Sequence, residues 1–191
     1  MKKLVYLLCL GFAFNLFADS YVIEESKIFE IKTSTALATI SKGTKVNVLK
    51  TKGTYSLVEL KGWSYEEEPN DKLFFKEGVT VHLAKLEGKG IKLRKILQTK
   101  EDKYEEVWIE NSIKGWIQTK KLTSDFSRLW KKEKEFVSLR CSGCHEAPKA
   151  ESHFAGEFPS IIDSMAEQAG LTQKDEDFIV NYLQKSNIYK H

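Results

Sequence analysis

The chain has 191 residues, and its 30 lysines and arginines against 27 aspartates and glutamates give a formal net charge of +3 at pH 7. A balance this close to neutral gives no support for nucleic-acid binding, which needs an excess of cationic side chains. The length allows one or two compact domains. The sequence shows no nucleophile motif and no glycine-rich phosphate loop, so we predict that the protein is not an enzyme.

The first 18 residues have the pattern of a secretory signal peptide. Lys2 and Lys3 form a basic start, an apolar run occupies residues 4–17, and Ala18 offers a small residue for cleavage. The run is shorter than the ~20 residues of a membrane-spanning helix, so we expect cleavage near Ala18 rather than a retained anchor. The sequence therefore predicts a periplasmic protein, and cleavage also removes Cys9.

Residues 19–123 have the pattern of a β-rich region. Short runs of alternating and β-branched apolar residues are separated by glycines and charged pairs, which is typical of the strands of a small sandwich or barrel. The clearest predicted strands are residues 45–49, 55–60, 79–83, 91–93 and 106–109.

A weak internal repeat divides this β-rich region. The Lys-Gly-Trp segment at 61–63 recurs at 114–116, which is 53 residues later, and each copy follows a strand that begins at a tyrosine. The order of strand, polar turn, strand and Gly-Trp pair resembles that of bacterial SH3-like domains. The resemblance implies one or two small barrels, with repeats at about 30–68 and 79–122. The resemblance implies a cell-wall or protein partner for this region.

From residue 124 the pattern changes to that of helices, and residues 124–191 form the last predicted unit. A first helix begins near Asp125 and runs into Cys141. Pro159 lies in the first turn of a second helix, which Gly170 ends. Thr172 caps a third helix in a capping-box pattern.

The segment 141–145 reads Cys-Ser-Gly-Cys-His and carries the clearest chemistry of the chain. Two thiols with this spacing reach the two vinyl groups of one porphyrin, and the next imidazole binds its iron. We predict one covalent haem c on Cys141 and Cys144, with His145 as the proximal iron ligand. The rival interpretations are a redox dithiol, half of a zinc site and a structural disulfide. A dithiol does not need the histidine, and a zinc site needs further ligands that the sequence lacks.

The second axial position of the iron has several candidates. Met165, 20 residues after His145 on the apolar face of the second helix, is the favoured distal ligand, although a methionine on such a face is commonly a core residue. His153 is the main rival, and an open position is the third option. His82 in a predicted strand and His191 at the last position are interpreted as bystanders.

Three helices with the attachment motif at the end of the first resemble class I c-type cytochromes. The resemblance implies that the first and last helices cross through contacts of Phe136 or Trp130 with Phe178 or Tyr182. The predicted fold class is therefore α+β, with the β-rich SH3-like region followed by a small three-helix c-type cytochrome domain.

The C-terminal stretch resembles more closely the final haem domain of the c-type cytochromes that feed trimethylamine-N-oxide reductases. The larger members of that family have a membrane anchor and four further haem motifs, whereas this chain has one motif. The matching positions are Cys141, Cys144, His145, Ala147-Pro148, His153-Phe154, Phe158-Pro159, Met165, Leu171-Thr172 and residues 179–183.

This resemblance implies an electron carrier of anaerobic respiration. Its donor is expected to be a membrane-bound cytochrome or another quinol-oxidising protein, and its acceptor a periplasmic molybdopterin reductase of the N-oxide or S-oxide type. One alternative is a haem-based ligand sensor with a labile sixth position. Another is an envelope-binding protein in which the SH3-like region anchors the haem to the cell wall.

Overall fold

A computed structural model describes residues 19–31, 35–67 and 70–189. The predicted signal peptide and His191 lie outside the described residues. In the described part the strands are β1 (Asp19–Val22), β2 (Ser26–Phe29), β3 (Ala36–Ile40), β4 (Lys45–Lys52), β5 (Tyr55–Tyr65), β6 (Lys72–Lys76), β7 (Val79–Leu86), β8 (Lys95–Glu101), β9 (Val107–Gln118) and β10 (Leu122–Thr123). The helices there are α1 (Gly88–Leu93), α2 (Phe126–Leu129), α3 (Lys131–Cys141), α4 (Phe158–Ala169) and α5 (Gln173–Ile188).

All of these strands join one antiparallel sheet, in the order β10-β1-β4-β5-β6-β7-β3-β2-β9-β8. In addition, β5 pairs with β9, from Tyr55 opposite Gln118 to Tyr65 opposite Trp108. This extra pairing closes a circuit of strands through β6, β7, β3 and β2. The two Lys-Gly-Trp segments therefore lie on neighbouring strands of a single sheet.

The predicted fold class is wrong on two points. The strands form one ten-stranded sheet instead of one or two small SH3-like barrels, and the helices do not form a small three-helix cytochrome domain. The reason is that β5 and β9 continue through their Gly-Trp pairs instead of turning back, so they pair with each other along their length. The cell-wall partner inferred from SH3-like barrels loses its structural basis.

The strand predicted at residues 91–93 is also wrong, because these residues belong to α1. A side chain at Gly90 would place its Cβ 1.9 Å from the carbonyl oxygen of Leu37 in β3. Only glycine permits this approach. The short helix therefore packs its backbone directly on the sheet, a tertiary contact that the local sequence pattern does not reveal.

The predicted first helix of the C-terminal segment is divided into α2 and α3. Trp130 stands between them with φ −104° and ψ 13°, outside helical geometry, and its side chain is 3% exposed. The indole packs on the turn at Gly43, where an added Cβ would lie 2.1 Å from its ring. Between residues 124 and 189 the segment thus has four α-helices, since docking of the indole on the sheet interrupts the first.

Several local predictions for the later helices are confirmed. Pro159 lies in the first turn of α4, and Gly170 ends that helix with φ 60°. Thr172 and Asp175 exchange hydrogen bonds in the capping box of α5.

The predicted aromatic contacts between the first and last helices of the segment are confirmed as well. The rings of Phe136 and Phe178 lie 5.5 Å apart, edge to face, and those of Trp130 and Tyr182 lie 5.6 Å apart. These contacts hold α3 against α5.

The helices dock on the turn between β3 and β4, which we name the 41–44 turn. Besides the Trp130 contact at Gly43, the ammonium of Lys42 lies 2.6 Å from the carboxylate of Glu133, which is 1% exposed. The side-chain amide of Asn181 in α5 donates to the carbonyl of Lys42. The same short turn therefore contacts α3 and α5.

A buried lysine completes this junction. Lys185 of α5 is fully buried, and its Nζ donates to Ser41 Oγ at 3.2 Å, Thr44 Oγ1 at 2.9 Å and the carbonyl of His82 at 2.7 Å. Burial lowers the pKa of this lysine well below its usual value. All three acceptors belong to the sheet region, so the last helix is fixed to the sheet through a polar contact that excludes water.

Candidate functional site

The motif residues lie at the end of α3 and just beyond it. Cys141 is the last residue of the helix, and it packs against the apolar cluster that includes Val137. Burial raises the pKa of the Cys141 thiol. Cys144 and His145 follow on the surface, and the two cysteines are not joined to each other in a disulfide. The helix end therefore presents two thiols and an imidazole within one short segment.

The imidazole of His145 is oriented by its own chain. Its Nδ1 lies 2.7 Å from the carbonyl oxygen of Glu146. When Nδ1 carries the hydrogen and donates it to this carbonyl, Nε2 keeps its lone pair for a metal. Histidines that bind metals commonly have their second nitrogen held in this way. The side chain thus fits the role of an axial iron ligand.

His145 lines a cavity of about 1050 Å³. Pockets for small molecules and cofactors have volumes of about 300–1,000 Å³, so this cavity is large enough for a cofactor. Its lining combines apolar, hydroxyl and charged side chains. The apolar and hydroxyl residues are Phe126, Ser127, Val137, Ser138, Ser142, Ala147, Pro148, Ala150, Tyr182, Ser186 and Tyr189, and the charged ones are Lys134, Glu146, Lys149 and Glu151. The two thiols and the imidazole of the motif are the groups that hold a porphyrin covalently, and of these only His145 is among the residues that line the cavity.

One wall of the cavity is supported by the sheet. Tyr21 of β1 packs on Phe126 with ring centroids 4.7 Å apart and on Tyr189 at 5.7 Å. Phe75 of β6 contacts Tyr189 from a second side at 5.8 Å. Sequence reasoning missed these residues, because aromatic side chains on strands and at a chain end carry no local signal for a shared site.

The candidate distal ligands lie elsewhere. Met165 is half-buried and packs against the same apolar cluster as Cys141, but it is not among the residues that line the cavity. His153 does not line the cavity either. Its Nδ1 lies 3.8 Å from a carboxylate oxygen of Glu157. The structure thus brings His145 and the cavity together, and it leaves Met165 and His153 outside the cavity wall.

His82 stands in β7, away from the motif. Burial, together with the positive charge of Lys185, lowers the pKa of this imidazole to about 4. The ring is therefore neutral at physiological pH.

The motif and the cavity have the composition of a c-type cytochrome site, and comparison with known proteins gives the same class. The family model described as the TorC third cytochrome c domain matches residues 17–122, which is more than half of the chain. The chain belongs to this family. A cytochrome c domain implies covalently bound haem c.

One curated relative is the cytochrome c-type protein TorY of Haemophilus influenzae, which is 27% identical over 79 residues. The aligned part is 41% of this chain and 22% of the relative, so the chain spans about a fifth of that protein's length. No solved structure matches the chain.

The family match and the haem motif occupy different parts of the chain. Residues 17–122 contain no cysteine, and the motif begins only at Cys141. The family match therefore covers the residues that form most of the sheet, whereas the haem ligands are assigned from the motif in the helical segment. Within the described ranges, none of the helices has both the length and the hydropathy of a membrane-spanning segment.

Proposed function

We propose that this protein is an electron carrier with one haem c, attached to Cys141 and Cys144 and bound by His145 at the proximal position. The observation that carries the proposal is the Cys-x-x-Cys-His segment, whose histidine lines a cofactor-sized cavity. Bound there, haem supplies an iron that exchanges one electron and leaves no substrate bond changed.

The residues around the cavity support this use. His145 presents one nitrogen while Glu146 holds the other. Phe126, Tyr182 and Tyr189 give the cavity a partly aromatic wall, and the apolar surroundings and solvent exposure of a haem help to set its reduction potential. Cys144 and His145 lie at the surface, so the site is open to a partner on that side.

For the partners, we propose a place in the trimethylamine-N-oxide reductase system. Membership of the TorC domain family and the similarity to TorY support this proposal. The chain would receive electrons from a membrane-bound cytochrome or another quinol-oxidising donor and deliver them to a periplasmic molybdopterin reductase. This placement needs export, with residues 1–18 removed as a signal peptide.

For the distal iron ligand, we propose Met165, with His153 as its rival. Met165 shares an apolar cluster with Cys141, which supports its closeness to the attachment site. Replacing Met165 by alanine is expected to abolish the thioether charge-transfer band of the ferric protein, whereas His153→Ala is expected to keep it. Loss of the band only in the His153 variant would reverse the assignment.

The function itself is tested by mixing the reduced protein with the purified reductase and its N-oxide substrate. We expect the absorption bands of the reduced haem to disappear at a rate that depends on reductase concentration. The matched control is the same mixture without the N-oxide, in which the bands persist after any initial transfer. Reoxidation that does not depend on the reductase would contradict the proposal.

A ligand sensor is the second candidate, because neither Met165 nor His153 lines the cavity beside His145. A sensor requires that the sixth position of the iron be open or held by a labile ligand. Carbon monoxide distinguishes the two functions: immediate binding to the reduced protein supports the sensor, and an unchanged spectrum supports the six-coordinate carrier.

A further inference from the structure

The chain segment that follows His145, residues 146–154, connects the motif to α4, and we name it the 146–154 loop. Part of it lines the cavity. Its own backbone hydrogen bonds are local, such as Ser152 N to the carbonyl of Lys149 at 3.1 Å. The ion pair between Lys149 and Glu146 is exposed, so it contributes little to stability. The position of the loop must therefore be set from outside it.

Helix α5 supplies these outside contacts through two side-chain amides. Asn187 uses both N–H groups of its amide, which donate to the carbonyls of Ala150 at 2.6 Å and His153 at 2.8 Å. One helical turn earlier, the amide of Gln184 donates to the carbonyl of Ala155 at 2.9 Å. Three carbonyls along the loop and just after it are thus bound to one helix.

The same helix is fixed to the sheet on its other side by Lys185, as described above. A rigid element therefore holds the loop. Each of these hydrogen bonds contributes modestly to stability, and more is lost where a buried carbonyl is left without a partner.

We propose that Asn187 is a positioning residue for His145. The carbonyl that orients the His145 imidazole belongs to Glu146, the first residue of the loop that Asn187 holds. Fixing the loop fixes this acceptor and, through it, the orientation in which Nε2 of His145 would bind the iron. This inference rests on the proposed haem site, since its readout is the property of the haem that His145 binds.

Asn181 offers a matched control in the same helix. Its amide also donates to a backbone carbonyl, but that carbonyl belongs to Lys42 in the 41–44 turn and not to the loop. Neither Asn187→Ala nor Asn181→Ala adds a charge, so a change of potential reports geometry. Asn187→Gln keeps both amide donors and serves as the conservative rescue.

The experiment measures the midpoint potential, the carbon monoxide binding rate and the melting temperature of the full chain in each variant. We expect a shifted potential and faster carbon monoxide binding in Asn187→Ala, a partial return in Asn187→Gln, and no change of either property in Asn181→Ala. Hydrogen exchange of the loop amides should rise about tenfold in Asn187→Ala alone, which corresponds to about 1.4 kcal/mol.

Two results overturn the inference, and they differ from a failure of the function. Equal potentials in the wild type and Asn187→Ala, or equal shifts in both alanine variants, show that Asn187 has no special effect on the site. A wild-type protein without covalent haem overturns the proposed function and the inference together. If Asn187→Ala does not accumulate, Asn187→Ser, which keeps one donor, is measured in its place, with a smaller shift expected and no shift contradicting the inference.

Discussion

The sheet and the helical segment of this protein are built on different principles. Among the described residues, the sheet encloses fourteen buried aliphatic residues in one cluster, whereas the helical segment has a cluster of five buried residues. The helical segment contains Cys141, Cys144 and His145, which we propose to bind haem, and Cys144 and His145 are exposed. The larger core therefore supplies stability, and the smaller one presents the reactive groups.

The comparison also shows that the sheet supports the helical segment that contains the candidate site. Trp130 packs at Gly43, Lys185 is buried among Ser41, Thr44 and His82, and Tyr21 supports the cavity wall. A helical segment with a small core of its own takes its rigidity from these contacts. The following predictions test this dependence, beginning with the largest expected effect.

Removing part of the sheet core should unfold the helices as well. Ile113 of β9 is 1% exposed, and Ile113→Ala is expected to cost about 2–5 kcal/mol. Because the helices depend on the sheet, NMR signals from both regions should disappear in one denaturant transition. Ile96→Ala is the control, since Ile96 on β8 is 54% exposed and its loss should change stability by less than about 0.5 kcal/mol. Helix signals that persist after the sheet signals have disappeared would show that the helices do not depend on the sheet.

The next largest loss of stability is expected when the contact at the 41–44 turn is disrupted. Gly43 has φ +79°, and an added Cβ would collide with the ring of Trp130, so Gly43→Ala is expected to cost about 2–4 kcal/mol. Gly53 has a similar φ of +61° with no atom within 4 Å of an added Cβ. Gly53→Ala therefore isolates the backbone cost, about 1 kcal/mol. Chemical denaturation measures the free energy of unfolding of both variants. Equal losses of stability in the two would mean that the docking of Trp130 contributes nothing.

Acid should weaken the sheet close to the junction. The pKa of His82 is about 4 in the folded protein against about 6.5 when unfolded, so the unfolded chain binds the extra proton first. The stabilisation by neutral His82 is fully present above about pH 6.5 and is lost as the pH falls towards 4. We expect the free energy of unfolding to fall by about 2 kcal/mol over this pH range, allowing for the exposed part of the ring. In His82→Gln this part of the pH dependence should vanish, and an unchanged pH profile would contradict the assignment.

The smallest effect concerns the helix that joins the two regions. Thr172 caps α5, and Thr172→Ala is expected to cost about 1 kcal/mol. Ser164 in α4 is an exposed hydroxyl with a purely local hydrogen bond, so Ser164→Ala should have almost no effect. Thermal unfolding compares the two, and a larger loss for Ser164→Ala would argue against the role of the cap.

Local signals were sufficient for the later helices and for the motif. Pro159, Gly170 and the Thr172–Asp175 pair act within one turn of chain, so their outcome is readable from neighbours in sequence. The aromatic contact of Phe136 with Phe178 was expected from the resemblance to class I c-type cytochromes and not from the local pattern. The ligand roles of Cys141, Cys144 and His145 stay predictions from the motif.

Contacts between distant residues were not readable in the same way. The pairing of β5 with β9 joins residues about 50 positions apart, and a repeat of Gly-Trp suggests two barrels as readily as one sheet. Lysines are usually exposed, so nothing marks Lys185 as fully buried until Ser41 and Thr44 are seen around it. The sequence around Gly43 is that of an ordinary turn, so it does not reveal that the Trp130 ring packs on this glycine.

The most direct test of the central claim is the mass of the chain after expression with a cytochrome c maturation system. We expect the peptide that contains Cys141 and Cys144 to carry one haem through two thioether bonds, and the Cys141→Ser and Cys144→Ser variants each to lose one of these bonds. A wild-type chain that retains both free thiols and binds no haem would contradict the account.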